Sequence, residues 1–298
     1  MIFTGLSAFP LTPMNEQGVD EYAFTRLVEQ LAAANVDSIG ALGSTGSYAY
    51  LSRAERARVA QLAVEAAGNV PVMVSIGSLR TRDVLLLAEE AQKVGVKALL
   101  LPPVSYQKLC AEDVFSLYET VSANVSVPLC VYDNPGTTHF EFTDELHGRI
   151  AELPHVSSIK IPGVPEAPHL AKARVERLRG LIPSHVTIGV SGDVFAAVGM
   201  NAGCEAWYSV IGGLFPRTAL AITQAALSGD DHEAARLSER LKPLWSLFRQ
   251  FGGSFRVVAT AAELRGFTQH PSLPLPLRTI SGEGRKQIAA VIDELELN

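Results

Sequence analysis

The chain has 298 residues, 47% of them hydrophobic and 19% charged, with a formal net charge of −6 at pH 7. That length suffices for one large α/β barrel or two ordinary domains, and the composition is that of a chain with a sizeable core. No run of Lys and Arg forms a basic stripe, which argues against nucleic acid and anionic membrane as partners.

The start, "MIFTGLSAFPLTPM", is apolar but lacks a basic leading segment and is interrupted by Pro10 and Pro13. It reads as a first strand and turn, not as a signal peptide. No window approaches the ~20 uninterrupted apolar residues of a membrane span. Cys110, Cys130 and Cys204 are sparse and form no C-x-x-C pair, which favours a reduced, cytoplasmic protein over a disulfide scaffold.

Short β-rich runs then recur, at 5–9 (GLSAF), 38–42 (SIGAL), 70–76 (VPVMVSI), 96–101 (VKALLL), 127–132 (VPLCVY), 156–161 (VSSIKI), 185–190 (HVTIGV) and 205–210 (EAWYSV). Between them lie stretches with apolar residues at helical spacing, such as 20–34, 52–67 and 81–94, with expected caps at Asp20, Ser52 and Thr81. Eight alternating units fit a (β/α)8 TIM barrel, for which about 250 residues are typical. An open doubly wound sheet is the alternative, but no Gly-rich dinucleotide fingerprint follows the first strand.

After residue 228 the alternation stops. Residues 230–251, 254–267 and 281–297 read as three helices, the last two joined by the Pro-rich "TQHPSLPLPLRTI". The expected division is a barrel over 1–228 and a C-terminal three-helix domain over 229–298.

One lysine stands out. Lys160 falls one residue before the end of the sixth strand candidate, in "HVSSIKIPG". In a (β/α)8 barrel the C-terminal strand ends build the active site. Tyr132 ends strand five, "GSTG" (43–46) follows strand two and "SGD" (191–193) follows strand seven, so closure would turn all four toward one mouth. A lysine in an apolar mouth loses hydration, its pKa falls, and the neutral amine becomes a nucleophile for a carbonyl carbon. Tyr132 could relay protons, and Ser44 and Thr45 with backbone N–H groups could hold a small carboxylate. This suggests a class I aldolase acting on a 2-oxo acid.

Taken singly, each signal is ordinary. A strand-end lysine is more often a solvated edge charge, a tyrosine there a rim residue of the core, "GSTG" a turn and "SGD" a helix cap. Their shared position gives them weight.

With "GLSAFPLTP" at 5–13, "GSTG" at 43–46, "YDNPGTT" at 132–138, "IKIPG" at 159–163 and "SGD" at 191–193, the chain resembles the dihydrodipicolinate synthase/N-acetylneuraminate lyase family nearly end to end. The resemblance implies a pyruvate-dependent class I aldolase on a (β/α)8 barrel with a C-terminal helical domain. It implies that Lys160 forms the Schiff base, that Tyr132 and Ser44 belong to a proton relay, and that Tyr106 serves the relay of a neighbouring subunit. Thr45 and Gly46 of the loop, and the backbone of Tyr208, would contact pyruvate. The implied assembly is a homotetramer, a dimer of dimers. No cofactor or metal is implied beyond the covalent imine.

Three departures stand against the family pattern. Ser47 occupies a glutamate position, Ile161 and Pro162 follow the lysine where polar residues are common, and Thr137 stands where synthases carry an arginine that grips the carboxylate of aspartate semialdehyde. Loss of a bidentate guanidinium removes a directional carboxylate contact. Pyruvate plus another aldehyde is therefore the leading reading. True 4-hydroxy-tetrahydrodipicolinate synthase activity and a non-catalytic 2-oxo-acid-binding barrel remain open. The seven histidines show no metal-ligand spacing and read as surface or loop residues.

Overall fold

The computed structural model describes residues 2–297. Its centre is a closed barrel of eight parallel strands: β1 (Gly5–Ala8), β2 (Ser38–Ala41), β3 (Val72–Ser75), β4 (Ala98–Leu101), β5 (Leu129–Tyr132), β6 (Val156–Ile161), β7 (Thr187–Ser191) and β8 (Ala206–Ser209). Each strand lies beside its sequence neighbours, and β8 closes on β1 with Ser7 opposite Tyr208. All eight expected strands are present. A two-stranded hairpin, Met14–Asn15 with Gly18–Val19, follows β1.

Alternation along the strands sorts the side chains. Leu6, Ile39, Val74, Leu99, Val131, Ile159, Ile188 and Trp207 join the layer under the helices. Met73, Ala98, Leu100, Cys130, Tyr132, Ala206 and Tyr208 fill the barrel, with Phe3 and Phe9 packed against them.

Strand β6 breaks the alternation once. Its register runs Leu129 to Val156 and then Cys130 to Ser158, leaving Ser157 as an extra, unpaired residue. Val156 therefore sits in the outer layer while Ser158, two residues on, bonds to Tyr208 inside the barrel. A bulge of this kind flips every following side chain to the other face. It aims Lys160 inward.

Helices form where their caps direct. Asp20 accepts from the Ala23 N–H at 2.9 Å to start Glu21–Ala33, and Ser52 with Glu55 makes a capping box for Arg53–Ala66. Thr81, expected as a cap, is instead the first residue of Thr81–Lys93, and Arg80 takes the cap position without a side-chain bond.

The C-terminal segment also departs from expectation. The first of the three expected helices is two, Asp231–Arg240 and Lys242–Gln250, followed by Ser254–Leu264 and Gly282–Leu295. Pro243 lies in the first turn of the second piece. Proline lacks the N–H, and its ring collides with the carbonyl four residues back, so one continuous helix is not possible there. The Trp245 indole N–H spans the break, donating to the Ser238 carbonyl at 3.1 Å. These helices share one hydrophobic core with the barrel through Ala234, Leu241, Leu244, Trp245 and Val257. The Pro-rich connector is tied down by Glu263, whose buried carboxylate accepts from Arg285 Nη1 at 2.7 Å and Ser272 Oγ at 3.0 Å.

Candidate active site

Lys160 and Tyr132 are direct cross-strand partners at the C-terminal ends of β6 and β5. The lysine is 7% exposed. Its Nζ lies 4.2 Å from the ring centre of Phe9, 4.7 Å from that of Tyr132 and 5.6 Å from that of Tyr208. Among the described residues no carboxylate forms an ion pair with it. Burial pushes its pKa down, against smaller opposing effects of Tyr132, Cys130 and Asp193.

The Tyr132 hydroxyl is the hub of the mouth. It shares a 2.8 Å hydrogen bond with Ser44 Oγ, accepts from Asn134 Nδ2 at 3.2 Å and reaches Thr137 Oγ1 at 3.4 Å. Burial alone would raise the phenol, but a charged Lys160 and the bonds from Ser44, Thr137 and Asn134 outweigh it and leave the phenol lowered. The two groups titrate together, since charge on either favours the ionised form of the other.

Ser44 reaches Tyr132 because the 43–46 loop turns sharply. Leu42 and Ser47 hold left-handed backbone, at φ 56° and 55°. A Cβ on Gly46 would come within 3.0 Å of the Leu42 nitrogen, so only glycine fits without movement. The Ser47 N–H donates to the Ser44 carbonyl at 3.1 Å, and Ser47 is itself buried. Thr45 is buried in the same turn.

Several expected residues are thus together: Lys160, Tyr132, Ser44 and Thr137, with Thr45 and Gly46 in the loop that carries Ser44. Tyr208 also contributes its side chain. Its ring lies inside the barrel below the lysine, with the hydroxyl 2.6 Å from Ser158 Oγ and 3.4 Å from Cys130 Sγ. The ring fits because the neighbouring strand β7 carries Gly189, where a Cβ would lie 2.2 Å from it. Tyr106 is not brought to Lys160 within one chain; it is 91% exposed, in the loop after β4.

Three contributors escaped the sequence reading as individuals. Phe9 reads from the sequence only as the end of the first strand, yet its ring lies against Lys160. Asn134 was part of a motif without a task. Asp193, the last residue of "SGD", is buried and accepts from Trp207 Nε1 at 3.1 Å, Ser209 Oγ at 3.1 Å, Val210 N at 3.0 Å and Ile211 N at 2.9 Å. It pins the turn after β8 rather than merely capping a helix. The reading of all histidines as surface or loop residues is corrected by His147, fully buried in the helix Asp144–Ala151. Its Nε2 lies 3.3 Å from Asp133 Oδ2, and its ring stacks on Phe142. The apolar face of a short helix gave that burial no distinct sequence signal.

Burial raises the Asp193 carboxyl to about 6, although its hydrogen bonds oppose the shift. A raised folded-state pKa means that the folded chain takes up this proton first as pH falls, so Asp193 itself favours folding more at pH 4 than at pH 7. In Asp193→Asn one acceptor becomes an NH2 facing backbone donors. The expected result is a loss of about 1–3 kcal/mol at pH 7, growing towards pH 4, where the parent gains stability that an asparagine, which does not titrate, cannot gain, read by denaturant unfolding at both pH values.

The family model of the Dihydrodipicolinate synthetase family matches residues 2–295. A 4-hydroxy-tetrahydrodipicolinate synthase of Parvibaculum lavamentivorans is 32% identical over 245 residues, covering 82% of each chain. A protein of the same name from Rickettsia prowazekii is 26% identical over 298 residues, 99% of this chain and 98% of its own. Among solved structures, a dihydrodipicolinate synthase from Agrobacterium tumefaciens strain C58 superposes with a TM-score of 0.94 at 40% identity, covering 99% of this chain and 98% of that one. A barrel of the same topology with a family match over nearly its whole length leaves one assignment: the chain belongs to the dihydrodipicolinate synthetase family and is a lyase of the class I aldolase kind.

Proposed function

We propose that Lys160 condenses with pyruvate or a close 2-oxo acid to form an iminium, and that the resulting enamine adds to an aldehyde, or is released from one in the reverse direction. The observation that carries this is the buried amine, paired with no carboxylate among the described residues, beside a phenol bonded to Ser44. Such an amine is neutral more readily than a solvated lysine and is a competent nucleophile. Tyr132 gives and takes protons at the carbonyl oxygen, with Ser44 as the next link and a route onward through Tyr106 of a second copy. Thr45 and Gly46 offer hydroxyl and backbone donors for the 2-oxo acid carboxylate, with the Tyr208 ring beneath.

The acceptor end is framed by Thr137 and Asn134, both neutral. The segment 133–143 contains no Lys or Arg. A hydroxylated or neutral aldehyde suits this rim better than one bearing a carboxylate there. The second reading, 4-hydroxy-tetrahydrodipicolinate synthase proper, is favoured by the names of the curated relatives. A homotetramer is supported by exposed Tyr50, Leu79 and Tyr106 on consecutive loops of the mouth, a patch suited to another copy. No helix among the described residues is long and apolar enough to cross a membrane, in keeping with a cytoplasmic enzyme. The chemistry needs no cofactor beyond the imine.

Borohydride reduction in the presence of pyruvate tests the central step. A stable adduct on the peptide carrying Lys160 is expected; a protein that binds pyruvate but gains no adduct is the non-catalytic barrel instead. Turnover of pyruvate with aspartate semialdehyde is expected to be weak, and an efficient rate would favour the second reading.

A further inference from the structure

The iminium on Lys160 is a cation in a dry place, and among the described residues no carboxylate forms an ion pair with the amine. What the protein supplies is rings. Phe9 is the nearest of three, with its centre 4.2 Å from Nζ, inside the ~6 Å range over which a cation is held by an aromatic face. It stands edge-on to Tyr208, with centroids 6.0 Å apart and planes at 89°. Two neighbouring glycines make room for it. A Cβ on Gly40 would lie 2.5 Å from the Phe9 ring, and one on Gly43 would lie 2.6 Å away. A phenylalanine accommodated at two glycines and laid against a buried amine is more than a space filler.

We propose that Phe9 is a catalytic residue whose π face stabilises the positive iminium relative to the neutral amine. The inference rests on the Lys160 imine put forward above. In that step Nζ attacks the carbonyl carbon and a C–N bond forms while the C=O π pair moves to oxygen. The oxygen takes one proton from Nζ and one from the Tyr132 hydroxyl, which solvent replenishes. Water then leaves, and the nitrogen lone pair closes the C=N bond with net charge +1. Positive charge therefore appears at an atom already in contact with the ring. Burial disfavours that charge, and the quadrupole of the ring offsets part of the cost without the proton competition a carboxylate would bring.

Fluorination tests this at nearly constant shape, because each fluorine withdraws density from the face of the ring. The full chain is prepared with mono-, di- and trifluorinated phenylalanine at position 9, alongside Phe9→Leu. For each, the pyruvate concentration giving half-maximal borohydride trapping is measured at pH 8. The expected result is a progressive rise, roughly tenfold for the trifluorinated ring, as follows from losing most of a desolvated cation–π contact, with an unchanged melting temperature. Should the trifluorinated chain melt early, the step from phenylalanine to the monofluorinated ring carries the test, with about a twofold rise expected. An identical concentration across the series, with only Phe9→Leu impaired, would make the ring a steric filler and overturn the inference while leaving the imine standing. An unmodified protein that yields no adduct would overturn both.

Discussion

Lys160→Met is expected to abolish activity and to make the protein harder to unfold. Methionine has a similar length and flexibility and fills the space between Phe9, Tyr132 and Tyr208 without a polar tip. The nucleophile is gone, so the borohydride adduct disappears and turnover falls by at least ~10³-fold, in line with the effect of removing a covalent nucleophile elsewhere. Stability moves the other way. Taking the amine out of bulk water and holding it beside three rings costs about 1–3 kcal/mol, and the variant recovers a gain of that order. The sign with pH follows from the depressed folded-state pKa. The unfolded chain holds the lysine proton more tightly, so the penalty on folding is complete below the folded-state pKa and fades as pH rises toward the ordinary lysine value of about 10.4. The gap between variant and parent should therefore be widest at low pH and narrow on the alkaline side. Urea unfolding across pH, run beside the trapping assay, measures both effects. A variant less stable than its parent would mean that the amine has a favourable partner in solution, and with that the case for a neutral nucleophile would fail.

Tyr132→Phe should separate proton transfer from imine chemistry. The hydroxyl removed is the one that meets Ser44 at 2.8 Å, Asn134 at 3.2 Å and Thr137 at 3.4 Å. Those partners lie at the mouth and can turn to water, so stability should change by no more than about 1 kcal/mol. Turnover should fall by about 10²–10⁴-fold, the usual share of a positioned general acid–base. The borohydride adduct should still form, more slowly. Without a phenol that can ionise beside it, burial acts on Lys160 less opposed, so its proton leaves at lower pH and adduct formation extends further toward acid. Single-turnover trapping against pH reads this directly. If the adduct vanished altogether with the fold intact, the phenol would be needed to position the amine, not only to move protons.

Asp193 and Phe9 show where reading from residues stops. Both stand in segments the sequence marks, yet neither segment says what its residue faces. Asp193 is polar and follows a strand, which describes many helix caps. Only the return of the chain through β8 surrounds it with Trp207, Ser209 and two backbone N–H groups. Phe9 reads as one more apolar residue of the first strand until Gly40 and Gly43, contributed from β2 and the loop after it, leave room for its ring over Lys160. The split of the helix at Pro243 was legible in principle, since proline cannot continue a helix, but the amphipathic pattern runs across it. His147 was not legible, because a histidine on a short helix has the same sequence appearance whether it faces water or Phe142.

By itself the sequence determined the eight-fold alternation of strand and helix, the closure that alternation favours, and the set of strand ends carrying Tyr132, Lys160 and the 43–46 loop. These are properties of local periodicity and of turn residues, and each is written within a few neighbouring positions. The tertiary structure decided which way Lys160 points. That depends on Ser157 being left unpaired between β5 and β6, a register choice made by two strands together. It also decided the environment of the amine, because desolvation is a sum over every group that packs around it, and Phe9, Tyr132 and Tyr208 arrive from three different strand ends.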